Sequence, residues 1–257
     1  MSLKTFSTFY YGQEITIDNY IINFDEGIGE LAAEVAVGTY SLTQFAEAIE
    51  SALNTAGTLV YSVTVNRQTR QITISASGVF TLLIATGSSV ATSPFSLMGF
   101  NGGDLSGSNS YTGDSGSGYE YRPQFILQDH VPPENFKRNV QATVNEAASG
   151  LVEVVRFGSV RFLQANIMFI TNLPMDGKVI RNNPNGVDDA NQFMDFITKI
   201  APIEFMADVG DRNIFKTIQL ESTPQSKDGI DYTLKELYDR NLPEIFQTGI
   251  LTFRVLD

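Results

Sequence analysis

The sequence contains one histidine and no cysteine, which limits the chemistry open to the chain. Without cysteine there is no disulfide, no thiolate metal ligand and no cysteine nucleophile. Any Ser-His-Asp triad would depend on His130, and no G-x-S-x-G segment, the nucleophile turn of many hydrolases, accompanies it. Because His130 lies beside Pro132 and Pro133, we interpret it as a loop residue and not as a general base.

Two pairs of acidic residues could offer oxygen ligands to a hard cation such as calcium. Asp188 and Asp189 follow the loop RNNPNG, and Asp208 and Asp211 stand in MADVGDRN. Neither spacing matches the calcium loop D-x-D-x-D-G-x5-E. A helix N-cap at Asp188 and a turn at 208–211 explain these residues. A glycosidase pair of carboxylates has no support in the sequence, so we predict no catalytic residue, no metal and no cofactor.

A Gly/Ser-rich segment, residues 101–118, divides the chain. Eleven of its eighteen residues are Gly or Ser. It has many glycines but neither the Lys-Ser/Thr ending of a phosphate loop nor the spacing of a dinucleotide-binding loop. We interpret the glycines as flexibility and predict a linker, with an arm that pairs with a neighbouring subunit as the alternative.

The charge of the chain is negative on both sides of this segment. The formal net charge is -12; residues 1–118 hold three basic and ten acidic residues, and the remainder holds 14 basic and 19 acidic residues. Nucleic-acid affinity depends on Lys and Arg at phosphates, so we predict no specific or non-specific nucleic-acid binding. No stretch reaches the roughly 20 apolar residues of a membrane span, and the first residues do not resemble a signal peptide. We expect synthesis in a cytoplasm.

The part before the segment predicts a small α+β fold. Short β-type runs occupy 14–17, 20–24 and 31–37. Apolar residues at helical spacing follow Ser41, which with Gln44 reads as a capping box, and Gly57 suits the helix end. Next come a hairpin, with alternating strands at 61–65 and 72–74, and a third strand at 79–85 that is apolar on both sides. The turn at 93–100 is predicted to close the core.

The part after the segment predicts a second α+β fold. Strands are expected at 125–127, 140–144, 151–171, 203–206, 215–220 and 249–256. Gly158 and Ser159 mark a turn or bulge, and the last strand should be pinned inside a sheet. One helix carries Ala190, Phe193, Met194, Ile197 and Ile200 and stops before Pro202. Another begins at Thr233, with Glu236 completing a capping box, and ends near Pro243.

The predicted architecture is therefore two β-rich domains, each a mostly antiparallel sheet with packed amphipathic helices. Their bounds are 1–100 and 119–257, with 101–118 between them. Aromatic residues near the N-terminus and around the segment are predicted either as core or as interface anchors. These interface candidates are Phe6, Phe9, Tyr10, Tyr11, Leu105, Tyr111, Tyr119 and Tyr121.

The order of elements over about 15–100 resembles a module of tailed-bacteriophage virion proteins. The resemblance rests on GTYSLTQFAEAIESALN, then YSVTVN and QITIS, then a buried strand and SLMGF. The stretches NQFMDFITKIAPIEFMADVGDRNIFKTIQLEST and LPEIFQTGILTFRV are similar to a tail-end or baseplate protein. Such modules occur in tail, baseplate, fibre and collar components, and the resemblance carries no catalytic residues.

The resemblance implies a non-enzymatic structural subunit located in the virion. We expect it in the tail, tail tip or baseplate, in a symmetric ring with copies of itself and beside other virion proteins. If it lines a channel, an acidic wall would let DNA slide through. One alternative is a capsid decoration, neck or collar protein. Another, of a different class, is a carbohydrate-binding or hydrolytic module, although the absence of tryptophan disfavours a sugar platform.

Overall fold

The structure, a computed structural model, describes residues 8–123, 125–127, 137–146, 152–168, 170–171, 187–206, 214–222, 235–236 and 245–256. These residues are rich in β-strands, the sheets are antiparallel, and two α-helices accompany them. The mostly antiparallel, β-rich fold class is thus confirmed. The chain divides into two compact units. The first unit is Phe9–Glu120 with Ala201–Glu204, and the second is Met1–Thr8, Tyr121–Ile200 and Phe205–Asp257.

A five-stranded sheet forms the centre of the first unit. The strands up to residue 121 are β1 (Thr8–Tyr11), β2 (Gln13–Ile15), β3 (Ile21–Asp25), β4 (Glu30–Glu34), β5 (Gly38–Tyr40), β6 (Tyr61–Asn66), β7 (Gln71–Leu82), β8 (Leu105–Thr112) and β9 (Tyr119–Tyr121). β8 pairs with one edge of β7, while β6 and then β3 pair with the other edge, and β4 lies outside β3. β2 and β5 form a separate two-stranded sheet.

Helix α1 (Leu42–Ala56) packs against β4 and β6 and completes the core. Its apolar stripe is buried, namely Leu42, Phe45, Ala46, Ile49, Ala52 and Leu53. The predicted capping box is confirmed: Ser41 Oγ accepts the Gln44 N–H at 3.3 Å, and Gln44 Oε1 accepts the Ser41 N–H at 3.2 Å. The predicted stop is also confirmed, since the Gly57 N–H donates to the Leu53 carbonyl at 2.8 Å. A cap of this kind contributes about 1 kcal/mol.

The predicted hairpin is confirmed, but the prediction of a separate third strand after it is wrong. Val63 pairs with Ile74 in the β6–β7 register. Residues 79–82 instead continue β7, and 83–85 lie beyond its end. β7 alternates here, since Phe80 is buried and Val79 is 61% exposed. The alternation arises because one face of β7 packs on the core and the other meets solvent. The closing turn is confirmed, with Phe95, Met98 and Phe100 buried in the core.

The Gly/Ser-rich segment is part of the first unit and not a joint. Its residues form β8, and hydroxyl pairs link β8 to β7 at Thr73–Thr112 (2.9 Å) and Ser75–Ser110 (2.8 Å). Further along, the Ser117 N–H donates to the Arg70 carbonyl at 2.8 Å. The prediction of a flexible linker is wrong, because the segment's own hydrogen bonds fix it to the sheet and adjoining loops. That the segment also pairs with a neighbouring subunit stays a prediction.

Two glycines in this segment are required by close packing. A Cβ on Gly113 would stand 2.8 Å from the Met98 carbonyl oxygen. At Gly118 a Cβ would stand 2.8 Å from the Tyr11 carbonyl oxygen, and φ is +62°, which favours glycine. Both positions exclude larger residues because backbone from another part of the first unit passes beside them.

The second unit contains a sheet centred on one long strand. The strands after residue 121 are β10 (Phe125–Leu127), β11 (Lys137–Glu146), β12 (Val152–Met168), β13 (Ile170–Thr171), β14 (Ile203–Met206), β15 (Lys216–Ser222), β16 (Lys235–Glu236), β17 (Ile245–Gln247) and β18 (Ile250–Val255). Two residues of β14, Ile203 and Glu204, belong to the first unit. β10 and β11 share one edge of β12, and β18 takes the other. β15 lies outside β18, so the last strand is pinned inside a sheet, as predicted. β13, β17 and β16 form a smaller sheet.

Three details of the second unit test the predictions further. The register of β11 and β12 shifts at Gln141/Ala142, next to Gly158, which confirms a bulge there. Helix α2 (Val187–Ile197) buries the predicted apolar residues except Ile200, which follows the helix and is 48% exposed. Lys235–Glu236 pair with β17, so the predicted helix start at Thr233 with Glu236 as its capping partner is wrong. Neither described helix is long and apolar enough to cross a membrane.

Candidate interaction surface

Most predicted interface residues are buried inside the chain itself. Phe9, Tyr10, Tyr11, Tyr111 and Tyr121 are each at most 9% exposed. For these five the core-packing alternative holds, because a side chain that the chain already covers offers no contact area to a partner.

The remaining interface candidates differ from one another. Leu105 packs partly buried against the core of the first unit. Tyr119 is 51% exposed and stacks on Tyr11 with ring centroids 5.6 Å apart, so its interface role stays a prediction. Phe6 lies outside the described residues.

The residues considered for metal binding or catalysis are not brought together in the described part of the chain. His130, Asp208 and Asp211 lie outside the described residues. Asp188 and Asp189 are in the first turn of α2, one and two residues after its first residue, so Asp188 is not the N-cap. Among the residues that the structure describes, no group of three or more His, Cys, Asp or Glu could hold a metal ion.

A buried ion pair in the first unit fixes the start of α1. Glu204 is fully buried; its Oε1 accepts the Thr43 N–H at 2.6 Å and the Thr43 hydroxyl, and its Oε2 lies 3.4 Å from Nε of Arg67. Nη2 of the same guanidinium donates to the Thr43 hydroxyl. Thr43 belongs to the first turn of α1, where the helix dipole also favours an anion. Glu204 therefore has a structural role, because it joins Arg67 to the first turn of α1.

Glu26 joins two loops in the same way. Its carboxylate accepts the N–H groups of Thr58 at 3.0 Å and Leu59 at 3.1 Å, and the hydroxyl of Tyr61 at 3.0 Å. Burial acts to raise the pKa of Glu26, but the donors from Thr58, Leu59 and Tyr61 outweigh it and the pKa is lowered. Burial, followed by the bond to Glu26, raises the pKa of Tyr61. At neutral pH Glu26 is thus an anion and Tyr61 a neutral donor.

Other carboxylates of the first unit also hold loops. Asp25 Oδ1 accepts the N–H groups of residues 27, 28 and 29 at 2.6, 3.1 and 3.0 Å. The hydroxyl and N–H of Ser88 lower the pKa of Glu30. Burial acts to raise the pKa of Asp104, but donors from Thr86 and its neighbours outweigh it and the pKa is lowered. The carboxylates of Asp25, Glu30 and Asp104 thus hold loops by accepting hydrogen bonds.

The two loops held by Glu26 lie along one edge of β7, where its pairing with β6 gives way to its pairing with β3. Tyr61, the first residue of β6, pairs with Ala76, and Asp25, the last residue of β3, pairs with Thr81. Residues 77–80 lie between these two partners along the same edge of β7. The Val60 N–H donates to Ser77 Oγ at 3.0 Å, and the Ser77 N–H donates to the Val60 carbonyl at 2.9 Å. We refer to residues 26–29, 57–60 and 77–80 as the strand junction.

The strand junction exposes three large aliphatic side chains. Ile28 is 74% exposed, Val60 is 72% exposed and Val79 is 61% exposed. Val60 lies opposite Ser77, and Val79 is two residues further along β7, so both valines project from the same, outer face of the sheet. Covering one such side chain contributes about 1.5 to 3 kcal/mol. These residues were not identified from the sequence. Val79 and Phe80 are adjacent apolar residues in an alternating strand, so one of the two had to lie on the exposed face, and this indicates an exposed apolar side chain.

The first unit, which contains this surface, is strongly negative. It contains two basic residues, Arg67 and Arg70, and twelve acidic ones, a net charge of -10. Arg67 pairs with Glu204, and Arg70 donates to the Gly118 carbonyl. The second unit contains the other 15 basic and 17 acidic residues, a net charge of -2. The first unit therefore has a large excess of acidic residues, and two of them, Asp25 and Glu26, lie at the strand junction.

Comparison with known proteins leaves the family open. No protein-family model matches the chain, and no curated protein sequence matches it significantly.

Proposed function

We propose that this chain is a non-enzymatic structural subunit of a tailed-phage virion. We place it in the tail, tail tip or baseplate, where copies form a symmetric ring and contact other virion proteins. Its two compact units would act as two domains of that subunit. A capsid decoration, neck or collar position is the alternative within the same class.

The observation that carries the proposal is the strand junction. Ile28, Val60 and Val79 are aliphatic, largely exposed and held on hydrogen-bonded backbone. A preformed apolar surface beside charged residues has the composition of a protein–protein contact, whose centre is apolar and whose rim is polar. The resemblance of residues 15–100 to phage virion modules supports the same class.

The state of the acidic residues favours a structural role over hydrolysis. A glycosidase needs one carboxyl group that stays protonated, which requires a raised pKa. Where a carboxyl pKa is shifted in the described residues, at Glu26, Glu30 and Asp104, it is lowered. Their oxygens accept hydrogen bonds from backbone N–H groups of loops, which suits loop closure and not proton transfer.

Native mass spectrometry of the purified full-length chain, with electron microscopy of the same sample, tests the proposal. We expect a closed oligomer of one defined stoichiometry, visible as rings. Antibody against the chain should label the tail or its end on intact particles. A chain that stays monomeric across micromolar concentrations, or one that turns over a polysaccharide, would contradict the proposal.

A further inference from the structure

We propose that side chains close two outer edges of the first unit's sheet, so that no strand of a second copy can pair there. Asn54 and Glu50 of α1 close the edge of β6, and Ser108 closes the edge of β8. Copies of the chain would then meet through other surfaces. The inference goes beyond the proposed function and does not depend on it, because it concerns a contact that the first unit prevents.

β6 and β8 are outer strands of the sheet around β7. In the part of the chain that the structure describes, each of them pairs with β7 alone. The other edge of an outer strand presents backbone N–H and C=O groups to which a strand of another chain can bind, and charged side chains or prolines commonly prevent this. Neither YSVTVN of β6 nor LSGSNSYT of β8 contains a charged residue or a proline. Composition therefore does not protect these two edges.

The register of β6 shows which of its backbone groups point away from β7. The Ser77 N–H donates to the Val60 carbonyl at 2.9 Å, so residue 60 directs its carbonyl towards β7. Residues that bond to the neighbouring strand alternate along an antiparallel pair with residues that do not. Tyr61 and Val63, one and three residues further along, therefore direct their N–H and C=O groups to the outer edge.

Two side chains of α1 bond to these outward-facing groups. Asn54 Oδ1 accepts the Tyr61 N–H at 2.8 Å, and Asn54 Nδ2 donates to the Tyr61 carbonyl at 3.0 Å. One carboxamide thus makes the pair of bonds that a residue of a neighbouring strand would make. Glu50 Oε2 accepts the Val63 N–H at 2.8 Å. The edge of β6 is therefore occupied at two successive outward-facing residues.

A single hydroxyl does the same on β8. The Gly113 N–H donates to the carbonyl of Ile72 on β7 at 2.9 Å, and Ser110 lies three residues before Gly113 and opposite Ser75. By the same alternation Ser110 directs its N–H and C=O away from β7. Ser108 Oγ accepts the Ser110 N–H at 3.1 Å and donates to the Ser110 carbonyl at 3.1 Å. Both outward-facing groups of Ser110 are therefore bonded within β8 itself.

The shape of β8 adds to this effect. Its register against β7 shifts between Ser75 and Phe80 and again between Phe80 and Leu82, and Gly107 has a φ of +83°. A bulge bends and twists a strand, which interrupts the row of groups that an added strand would follow. Ser108 lies directly after Gly107, so the bend and the hydroxyl act on the same part of the edge.

The first test removes the capping groups in the double variant Asn54→Ala, Ser108→Ala. The Tyr61 and Ser110 N–H groups lose their acceptors, so we expect their hydrogen exchange to accelerate about tenfold, equivalent to about 1.4 kcal/mol. At high concentration the open edges should pair, so the double variant should form species larger than those of the wild type. Exchange followed by NMR measures the first effect, and analytical ultracentrifugation measures the second.

The matched control is Ser51→Ala, Ser106→Ala, whose side chains are exposed on the same helix and the same strand as the caps. It should match the wild type in the exchange of those two N–H groups and in size. Ser108→Thr keeps the hydroxyl and should also match the wild type. If the double variant fails to fold, the single change Ser108→Ala in the second test decides.

The second test uses the absence of cysteine from the chain. Thr112 is exposed on β8, and β6 stays closed when only Ser108 is changed, so the strand that adds to an open β8 is β8 of a second copy. We expect a short bis-maleimide to cross-link two copies of Ser108→Ala, Thr112→Cys. Thr112→Cys alone should give no cross-linked dimer. Ser108→Ala combined with Val37→Cys, at an exposed position outside the sheet, should give none either.

The outcomes separate this inference from the others. Cross-linking of Thr112→Cys with Ser108 intact overturns it, and would support pairing of residues 101–118 with a neighbouring subunit. A double variant of the same size as the wild type also overturns it, even if exchange accelerates, because the caps would then serve stability alone. None of these results depends on whether the wild type forms a ring, so the proposed function stands or fails by its own test.

Discussion

The hydroxyl of Tyr111 compensates for an irregularity in the sheet of the first unit. Ser75 pairs with Ser110, but the next pair is Phe80 with Ser108, so β7 has extra residues that have no partner on β8. The Tyr111 hydroxyl accepts the Ser108 N–H at 2.9 Å and donates to the Phe80 carbonyl at 2.8 Å. The Tyr111 hydroxyl thus provides a hydrogen-bond partner for two backbone groups, the Ser108 N–H and the Phe80 carbonyl, where the β7–β8 pairing is interrupted.

We expect Tyr111→Phe to lower the free energy of unfolding by about 1 to 3 kcal/mol, because a backbone donor and a backbone acceptor lose their partner at a buried site. Urea denaturation followed by circular dichroism measures the change. Tyr119→Phe is the matched control, since its ring is 51% exposed and the substitution keeps the stacking on Tyr11. Equal stability of the two variants would show that the Tyr111 hydroxyl contributes nothing.

Glu26 gives the first unit a pH dependence of known sign. Its pKa is lowered from 4.5 in the folded chain, so the folded state binds its proton less readily than the unfolded state. The stability that the carboxylate contributes is complete above the unfolded pKa and is lost as the pH falls through the folded pKa. The group is partly exposed to solvent, which screens the effect.

We expect Glu26→Gln to lower the melting temperature at pH 7 and to have a smaller effect at pH 3, where the wild-type carboxyl is losing its charge. Differential scanning calorimetry at both values measures this difference. Glu47→Gln, an exposed substitution on α1, should have little effect at either pH. A loss of stability that is the same at pH 7 and pH 3 would show that the charge of Glu26 is not what holds the loops.

At the scale of elements, the sequence predicts those whose signals are local. The capping box at Ser41 and the alternation of β6 with the start of β7 need only neighbouring residues, and both are confirmed. The last strand is confirmed as an interior strand because its run of apolar residues can be satisfied only between two partners. Periodicity and capping are sufficient information in such cases.

Elements that depend on distant partners are missed. β8 has the composition of a flexible segment, yet its hydroxyl pairs reach residues 35 and 39 positions away. The local capping signal at Thr233 is overridden where Lys235–Glu236 pair with β17. The same limit applies to the interface prediction, because an aromatic residue such as Tyr10 reads alike whether the chain or a partner covers it.

Two glycines within residues 101–118 are expected to respond differently to substitution by alanine. Gly118→Ala is expected to lower the free energy of unfolding by about 1 to 3 kcal/mol, because φ is +62° and the Cβ would meet the Tyr11 carbonyl. Gly103 has nothing within 4 Å of a Cβ, so Gly103→Ala should be neutral or stabilise by up to about 1 kcal/mol. Urea denaturation of both variants measures the difference. A flexible linker would tolerate both substitutions equally.

At the scale of the whole molecule, charge is distributed unequally along the chain. The first unit has two basic residues, and the second has fifteen. Both units are nevertheless net negative, at -10 and -2, so two copies of the chain repel each other at long range. Association would have to overcome this repulsion, and the exposed aliphatic residues of the strand junction would stabilise a contact once made.

This repulsion predicts how assembly responds to salt. Charge interactions act over about 10 Å at roughly 0.1 M salt and are largely screened at about 1 M. Raising the salt over that range should speed association, because the repulsion between net negative copies is screened. Dissociation should change much less, because apolar contacts are not weakened by simple salt. Stopped-flow light scattering after concentration jumps measures association, and dilution measures dissociation. Association that slows as the salt rises would contradict this expectation and would indicate a contact steered by opposite charges.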